Sequence, residues 1–508
     1  MQTQHAETLV LHEADDAPHY GNLIDGKWTP ASDERESENH DPANGELIGY
    51  FPRSGQTEVD AAVAAAKRAF ALWRLTPAPK RGEILFRVGQ LLAERKEEIA
   101  RILTREMGKV LVEARGDVQE GVDMAFYMAG EGRRLFGAVT PSELPNKAAM
   151  GVREPLGVVA CVTPWNFPVA IPSWKTMAAL ISGNTVVLKP ATDTPLSALK
   201  LAEVYADAGL PPGVLNVVCG TGSEVGMPLV EHPDVVGVSF TGSNEVGRAV
   251  NVAAAAQLKR VTLELGGKNA ILVLDDADLD LAVEGILWSA FGTAGQRCTA
   301  CSRVIVQRGA RAELERRLVE RIAGLRLGHG LDDTTDVGPL INASQAERVH
   351  SYMAVARSDG ATIAIGGEPA RDGTLARGNF YQPTLLTEVK PGMRVAQEEI
   401  FGPVLSLIEV ESLEEAIAVN NGVAYGLSSA IFTQNVNAAQ VAMRDLATGI
   451  VYINAGTIGA EIQLPFGGVR GTGNGHREAG LGALEFFTEW KAIYIDYSGK
   501  LQRAQIDS

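Results

Sequence analysis

Gly157-Val158-Val159-Ala160-Cys161-Val162 is an apolar run with no polar alternation, and a helical stretch at about 171–182 separates it from a second such run, Thr185-Val186-Val187-Leu188. The pattern continues through Val214-Val218, Val235-Phe240 and Val261-Leu263, with helical stretches at about 195–209, 223–231 and 245–257. A strand lacking a polar face is buried on both sides, and strands that alternate with helices are joined by crossovers. The expected architecture is therefore α/β, a parallel sheet covered by helices on both faces. Ligands of such sheets bind beyond the carboxyl ends of the strands.

Upstream, residues 56–75 and 80–107 read as two amphipathic helices. In the second, Leu85, Val88, Leu92, Ile99 and Ile102 share one face, with Arg and Glu opposite. Downstream, Ala270-Leu274, Val304-Val306, Leu405-Ile408 and Ile450-Ile453 form a second alternating series, read as a second α/β domain. The segment 135–154, with Pro141, Pro145 and Asn146 between β-like stretches, reads as a protruding hairpin. The tail Lys491-Tyr497 is a further β-like run with no partner in its own domain. Two orphan strands point to exchange with another subunit.

The bulk composition narrows the function. At 508 residues the chain exceeds a single core and calls for about two to four domains. A 45% hydrophobic and 21% charged composition is ordinary for a soluble enzyme. A net charge of -16 argues against nucleic acid or an anionic membrane as partner, because both require clustered Lys and Arg. Four cysteines in so long a chain make no disulfide framework, so a reducing cytoplasm is expected. The start, Met1 to Tyr20, is polar and acidic, with His5, Glu7, Glu13, Asp15 and Asp16, and lacks the basic start and apolar run of a signal peptide. No apolar stretch reaches membrane-spanning length, and the scattered histidines suggest no metal site.

Two phrases carry the chemistry: Leu263-Glu264-Leu265-Gly266-Gly267-Lys268-Asn269 and Phe291-Gly292-Thr293-Ala294-Gly295-Gln296-Arg297-Cys298. A thiol framed by small residues can be approached closely by a substrate. A nearby carboxylate can activate the water that later releases the product. Nucleophile plus general base is the minimum kit that a protein needs to supply for oxidising an aldehyde through a covalent thioester. Each residue has a plainer reading: an inert packed thiol for Cys298, a solvated strand-end carboxylate for Glu264, a turn residue for Asn166. Gly242-Ser243-Asn244-Glu245-Val246-Gly247, between a strand and a helix, reads either as a pyrophosphate-binding turn or as an ordinary connection.

From about residue 22 to 495 the sequence resembles the aldehyde dehydrogenase superfamily. The matching phrases are Pro164-Trp165-Asn166-Phe167-Pro168, Gly183-Asn184-Thr185-Val186-Val187-Leu188-Lys189-Pro190, Phe240-Thr241-Gly242-Ser243, the Glu264 and Cys298 phrases, Glu399-Ile400-Phe401-Gly402-Pro403 and Pro465-Phe466-Gly467-Gly468. The resemblance implies two Rossmann-like α/β domains plus a small β oligomerisation element. The cofactor domain would comprise 1–134 and 155–264, the catalytic domain 265–484, and the oligomerisation element 135–154 with 485–508, in a homodimer or homotetramer. It implies Cys298 as nucleophile, Glu264 as base for water, Asn166 as oxyanion donor and Lys175 as support for proton relay and cofactor ribose. It implies cofactor contacts from Thr163, Pro164, Trp165, Lys189, Thr192, Gly222, Phe240, Gly242, Ser243, Gly247, Leu265, Gly266, Glu399 and Phe401.

Many NAD-preferring members carry a Glu where this chain has Thr192. NAD is expected, with NADP tolerated because a carboxylate repelling a 2′-phosphate is missing and Asp193 replaces it only in part. The stretches Thr104-Lys109 and Tyr127-Gly132 resemble bacterial α-ketoglutarate semialdehyde dehydrogenases, and the loop Ala455-Glu461 is similar to branches acting on α-aminoadipate semialdehyde. Both substrates carry a carboxylate. Arg297 is then a candidate bidentate clamp, or else part of a structural ion pair. Phe167, Trp174 and Phe466 are candidate tunnel walls or core residues. Cys301 reads as a resolving thiol or a packed small residue. A broad-range aldehyde oxidiser, a CoA-acylating enzyme, a non-catalytic member and a cysteine hydrolase are the alternatives. Glu264 argues against the CoA-acylating one, and the absence of a His in any matching phrase against the last.

Overall fold

The computed structural model describes residues 8–14 and 17–506. The extreme N-terminus read above, including His5, Glu7, Asp15 and Asp16, lies outside the described residues, as do the outermost residues of the tail.

The apolar runs become Val158–Val162, Thr185–Lys189, Leu215–Val217, Val235–Thr241 and Arg260–Glu264. They pair in parallel, in the order Arg260–Glu264, Val235–Thr241, Val158–Val162, Thr185–Lys189, Leu215–Val217. Asn22–Ile24 and Lys27–Thr29 extend this sheet antiparallel to seven strands. The helices Ala170–Ile181, Pro195–Asp207 and Asn244–Ala255 fall where the sequence places them. The 223–231 stretch is instead a π-turn, Gly222–Gly226, running into a short helix, Met227–Glu231. Strand order reverses at Val158–Val162: the chain adds strands to one side, then returns to add Val235–Thr241 on the other. Such a reversal opens a crevice at the strands' carboxyl ends, here at Thr163-Pro164 and Gly242-Ser243.

A second seven-stranded sheet runs Thr362–Ile365, Thr384–Thr387, Val404–Val410, Cys301–Gln307, Asn269–Val273, Ser428–Phe432, Ile450–Ile453, parallel except at the first edge. Cys298 precedes one of its central strands and Asn269 begins the neighbouring one. The amino ends of this sheet thus face the carboxyl ends of the first.

Three features depart from the sequence reading. The helix expected over 80–107 is two, Ala78–Glu94 and Lys96–Met107, broken at Arg95. Leu85, Val88, Leu92 and Ile99 are buried as expected, but between Leu92 and Ile99 the chain is charged apart from the exposed Ala93, so no large apolar side chain holds that turn against the core. A four-stranded N-terminal sheet and a long helix, Leu111–Glu131, were not foreseen. The tail strand, Thr488–Asp496, is no orphan: it pairs antiparallel along all of Lys147–Pro155, which pairs in turn with Ala138–Pro141. The two unpartnered segments partner each other within one chain. Among the described residues no helix is long and apolar enough to cross a membrane.

Candidate active site

The residues before Cys298 are held in an unusual backbone. Thr293 and Ala294 have φ of 54° and 53°, and Gly295 follows at 71°. Left-handed non-glycine residues in succession cost about 1–3 kcal/mol each and persist only where the surroundings impose them. Here Glu113 accepts from the Thr293 backbone N–H at 2.9 Å, and Asn269 Nδ2 donates to the carbonyls of Cys298 (2.7 Å) and Ala300 (3.0 Å). A Cβ on Gly267 would lie 2.5 Å from the Cys298 carbonyl oxygen, so the glycine lets the Glu264 phrase lie flat against the nucleophile loop.

Cys298 lies on a wall shared by two cavities. The first, about 190 Å³, opens at the crevice of the first sheet and is lined by Pro164, Trp165, Ser243, Gly266, Glu399 and Phe401 among others. The second, about 60 Å³, is lined by Glu264 with Phe167, Trp174, Arg297 and Phe466. Leu265 borders both.

In the second cavity Glu264 is buried, and neither carboxylate oxygen has a partner. Burial, reinforced by Glu478 and opposed by Lys175 and Arg477, holds its carboxyl well above the usual range. Burial also pushes the Cys298 thiol up to about 12, with Glu264 and Glu399 adding to it. Asn166 Nδ2 donates to the Gln296 carbonyl at 3.0 Å, which docks the amide on the nucleophile loop and leaves its second N–H for the first cavity. Lys175 is fully enclosed, its ammonium bonded to Glu478 and, at 3.0 Å, to Ser239 Oγ. It faces the Glu264 side, away from the first cavity, so the ribose contact expected of it is not made from this position.

The first cavity suits a dinucleotide. Ser243 caps the helix Asn244–Ala255, whose N-terminus favours anions. A Cβ on Gly247 would strike Leu265 at 2.4 Å, so that glycine serves helix packing against the Glu264 phrase. Glu399 accepts from the Gly267 N–H at 2.8 Å and is raised to about 7 by burial. Phe401, itself left-handed at φ 61°, meets Trp165 edge-on at 5.4 Å. Lys189, Thr192 and Gly222 gather instead at the Gly220–Gly226 turn. Thr192 Oγ1 donates to the Gly220 carbonyl at 3.2 Å, and Lys189 Nζ to Pro190 at 2.6 Å.

Three expectations are corrected. Phe240 is in the core, its ring beneath Gly242 rather than in the cleft. Asp193 accepts from Asn342 Nδ2 at 2.9 Å, so it does not stand in for the missing Glu at Thr192. Arg297 donates from Nε to Thr293 and from Nη2 to Glu113, both at 3.0 Å, so that edge is not free to clamp a substrate; Nη1 remains. Cys301 is buried and its thiol donates to the Arg303 carbonyl at 3.3 Å, the packed reading. Thr163 is buried at the crevice with Oγ1 unpartnered. Trp174 and Phe466 meet edge-on at 5.1 Å, and Phe167 lies between Lys109 Nζ and Arg297.

Glu478, Ser239 and Asn269 were missed. Glu478 sits in no recognisable phrase and meets Lys175 from 303 residues away. Asn269, by contrast, closes the Glu264 phrase and was within reach.

A family model described as the aldehyde dehydrogenase family matches residues 28–493. The chain is 42% identical to an alpha-ketoglutaric semialdehyde dehydrogenase of Bacillus subtilis, over 94% of this chain and 98% of that one. It is 39% identical to a succinate-semialdehyde dehydrogenase [NADP(+)] of Escherichia coli, over 93% and 97%. The crystal structure of a betaine aldehyde dehydrogenase of Staphylococcus aureus in complex with NAD+ superposes with a TM-score of 0.93 at 36% identity, covering 95% of this chain and 96% of that one.

Proposed function

The chain belongs to the aldehyde dehydrogenase family and is an oxidoreductase acting on aldehydes, and from that premise we propose that it oxidises a carboxylated semialdehyde to the dicarboxylic acid with NAD, accepting NADP as well. The observation that carries this reading is the second cavity, where a thiol, an unpartnered carboxyl and an arginine line one narrow space. The named substrates of the Bacillus and Escherichia relatives, both carboxylated, point the same way.

Cys298 Sγ bonds to the aldehyde carbon; burial keeps the thiol neutral at rest, so its proton passes to the ionised form of Glu264 in the same cavity and on to solvent before the water step. The oxyanion of the thiohemiacetal takes hydrogen bonds from the second N–H of Asn166 and from the Cys298 backbone N–H. The first cavity, lined by Trp165, Ser243, Glu399 and Phe401, would hold a nicotinamide, which would supply the hydride acceptor needed as the carbonyl re-forms. Glu264 then takes a proton from water, which adds to the thioester and expels Cys298. Glu478, bonded to Lys175 and to Ser239, lines the same cavity as Glu264 and would take that proton on through a bridging water. The unpartnered Glu264 favours hydrolysis over acyl transfer to CoA.

Asn166→Ala should lower kcat by about 10²–10³, the usual loss for one oxyanion donor. Rapid-mixing measurement of the hydride burst checks it; an unslowed burst removes Asn166 from the chemistry. For substrate class, NAD and NADP reduction would be followed with α-ketoglutarate semialdehyde and succinate semialdehyde beside hexanal and benzaldehyde. The carboxylated aldehydes should lead, and Arg297→Ala should reduce that lead by about 10-fold, the weight of one charge-assisted contact. Equal rates across the panel would indicate a broad-range oxidiser.

The 1–134 with 155–264, 265–484, and 135–154 with 485–508 divisions follow as cofactor, catalytic and assembly units. Exposed Val139, Trp490 and Tyr494 on the three-stranded sheet favour a homodimer or homotetramer.

A further inference from the structure

The helix Leu111–Glu131 carries Glu113, Asp117 and Glu120 at i, i+4 and i+7, so the three carboxyls share one face. That face is turned toward the nucleophile loop. Glu113 pairs with Arg297 at 3.0 Å, and Asp117 pairs with the fully buried Lys109 at 3.0 Å. Lys109 is further committed to the Asn166 carbonyl at 2.7 Å. Two cations thus serve two carboxylates. Glu120 is left over: among the described residues no donor reaches it, and it lines the second cavity with Arg297 and Cys298.

A carboxylate without a counter-ion or hydrogen bond in such a place is costly, and protonation removes the cost. Burial, with Asp117 and Asp123 of its own helix adding and Arg297 and Lys109 opposing, pushes Glu120 up to about 8. Tyr452, from the strand Ile450–Ile453, is close enough for Glu120, Glu461 and Cys298 to add to the raising effect of burial on its phenol. A neutral carboxylic acid donates a hydrogen bond, as a fixed anion cannot. Beside the free Nη1 of Arg297 it completes a site with one positive charge and one neutral donor. We infer that Glu120 is a specificity-determining residue that holds the distal carboxylate of the substrate through its carboxyl O–H, beside Arg297. The inference rests on the carboxylated-substrate reading above.

The test compares kcat/KM for succinate semialdehyde, hexanal and betaine aldehyde in the wild type, Glu120→Gln and Glu120→Leu at several pH values. With a group titrating near 8, the wild-type preference for succinate semialdehyde over hexanal should fall by about 10-fold between about pH 7 and about pH 9, as the donor becomes an anion. Glu120→Gln, which keeps an N–H donor that does not titrate, should retain the preference and lose its pH dependence. Glu120→Leu should show a preference about 10-fold lower at every pH. A wild-type preference that is strong but unchanged in both variants overturns the role of Glu120 alone. No wild-type preference for the carboxylated aldehyde at any pH overturns the substrate reading itself. A preference for betaine aldehyde that vanishes in Glu120→Gln means an ionised Glu120 in a site for cations, and overturns both.

Discussion

Cys298→Ser should lower aldehyde turnover by on the order of 10⁴ or more, with the fold unchanged. Serine differs from cysteine by one atom and fits the same space, so a lost rate reports chemistry rather than packing. A buried hydroxyl is far harder to ionise than a thiol, and an alkoxide is a poor leaving group when the acyl enzyme breaks down. The surroundings sharpen the difference: burial, Glu264 and Glu399 all disfavour an anion at this atom, to the point that even the thiol is pushed to about 12. The measurement is the pre-steady-state burst of reduced nicotinamide, beside a melting curve. A burst of normal amplitude with an unaltered melting temperature would place the nucleophile elsewhere.

Glu264→Gln should act chiefly later in the cycle. Hydride transfer needs no water, so a single burst remains, slowed by the loss of Glu264 as acceptor of the thiol proton. Steady-state turnover should then drop by about 10²–10⁴, the usual contribution of a general base. An acyl adduct on Cys298 should accumulate and be visible by intact mass. Sign and window follow from the raised carboxyl: a base works only when deprotonated. Wild-type deacylation should therefore rise with pH well above the ordinary carboxyl value of 4.5, and that limb should disappear in the variant. Undiminished steady-state turnover would remove Glu264 from the mechanism.

Much of this was legible beforehand, for local reasons. Val158–Val162 and Thr185–Lys189 declare themselves because a strand buried on both faces has no polar positions to disguise it. Cys298, Glu264, Asn166 and Glu399 each stand in a phrase whose small or turn-forming neighbours mark a close approach. What escaped depends on contacts between distant segments. Glu478 meets Lys175, and Glu113 occupies Arg297, through folds in the chain that no spacing announces. Phe240 was misread for a local reason: its phrase borders the cleft, but strand alternation turns its ring into the core. Ser428–Phe432, an interior strand beside the edge, was passed over because its first two residues are serines and shorten the apolar run; their hydroxyls are satisfied by the Thr457 carbonyl and by Asn420.

The pairing of the tail strand with Lys147–Pro155 also sets a schedule for biosynthesis. Arg153 and Thr488, joined across this sheet at 3.0 Å, are 335 positions apart in sequence. A ribosome adding about 5–20 residues per second needs on the order of tens of seconds to cover that distance. Throughout that interval the hairpin has been made and its closing strand has not, so a row of unpaired backbone groups waits open on the nascent chain. Such an edge recruits any neighbouring strand, including the same hairpin on an adjacent ribosome. Completion of this three-stranded sheet, which must wait for Thr488–Asp496, is thus a step at which a growing chain is open to misassembly.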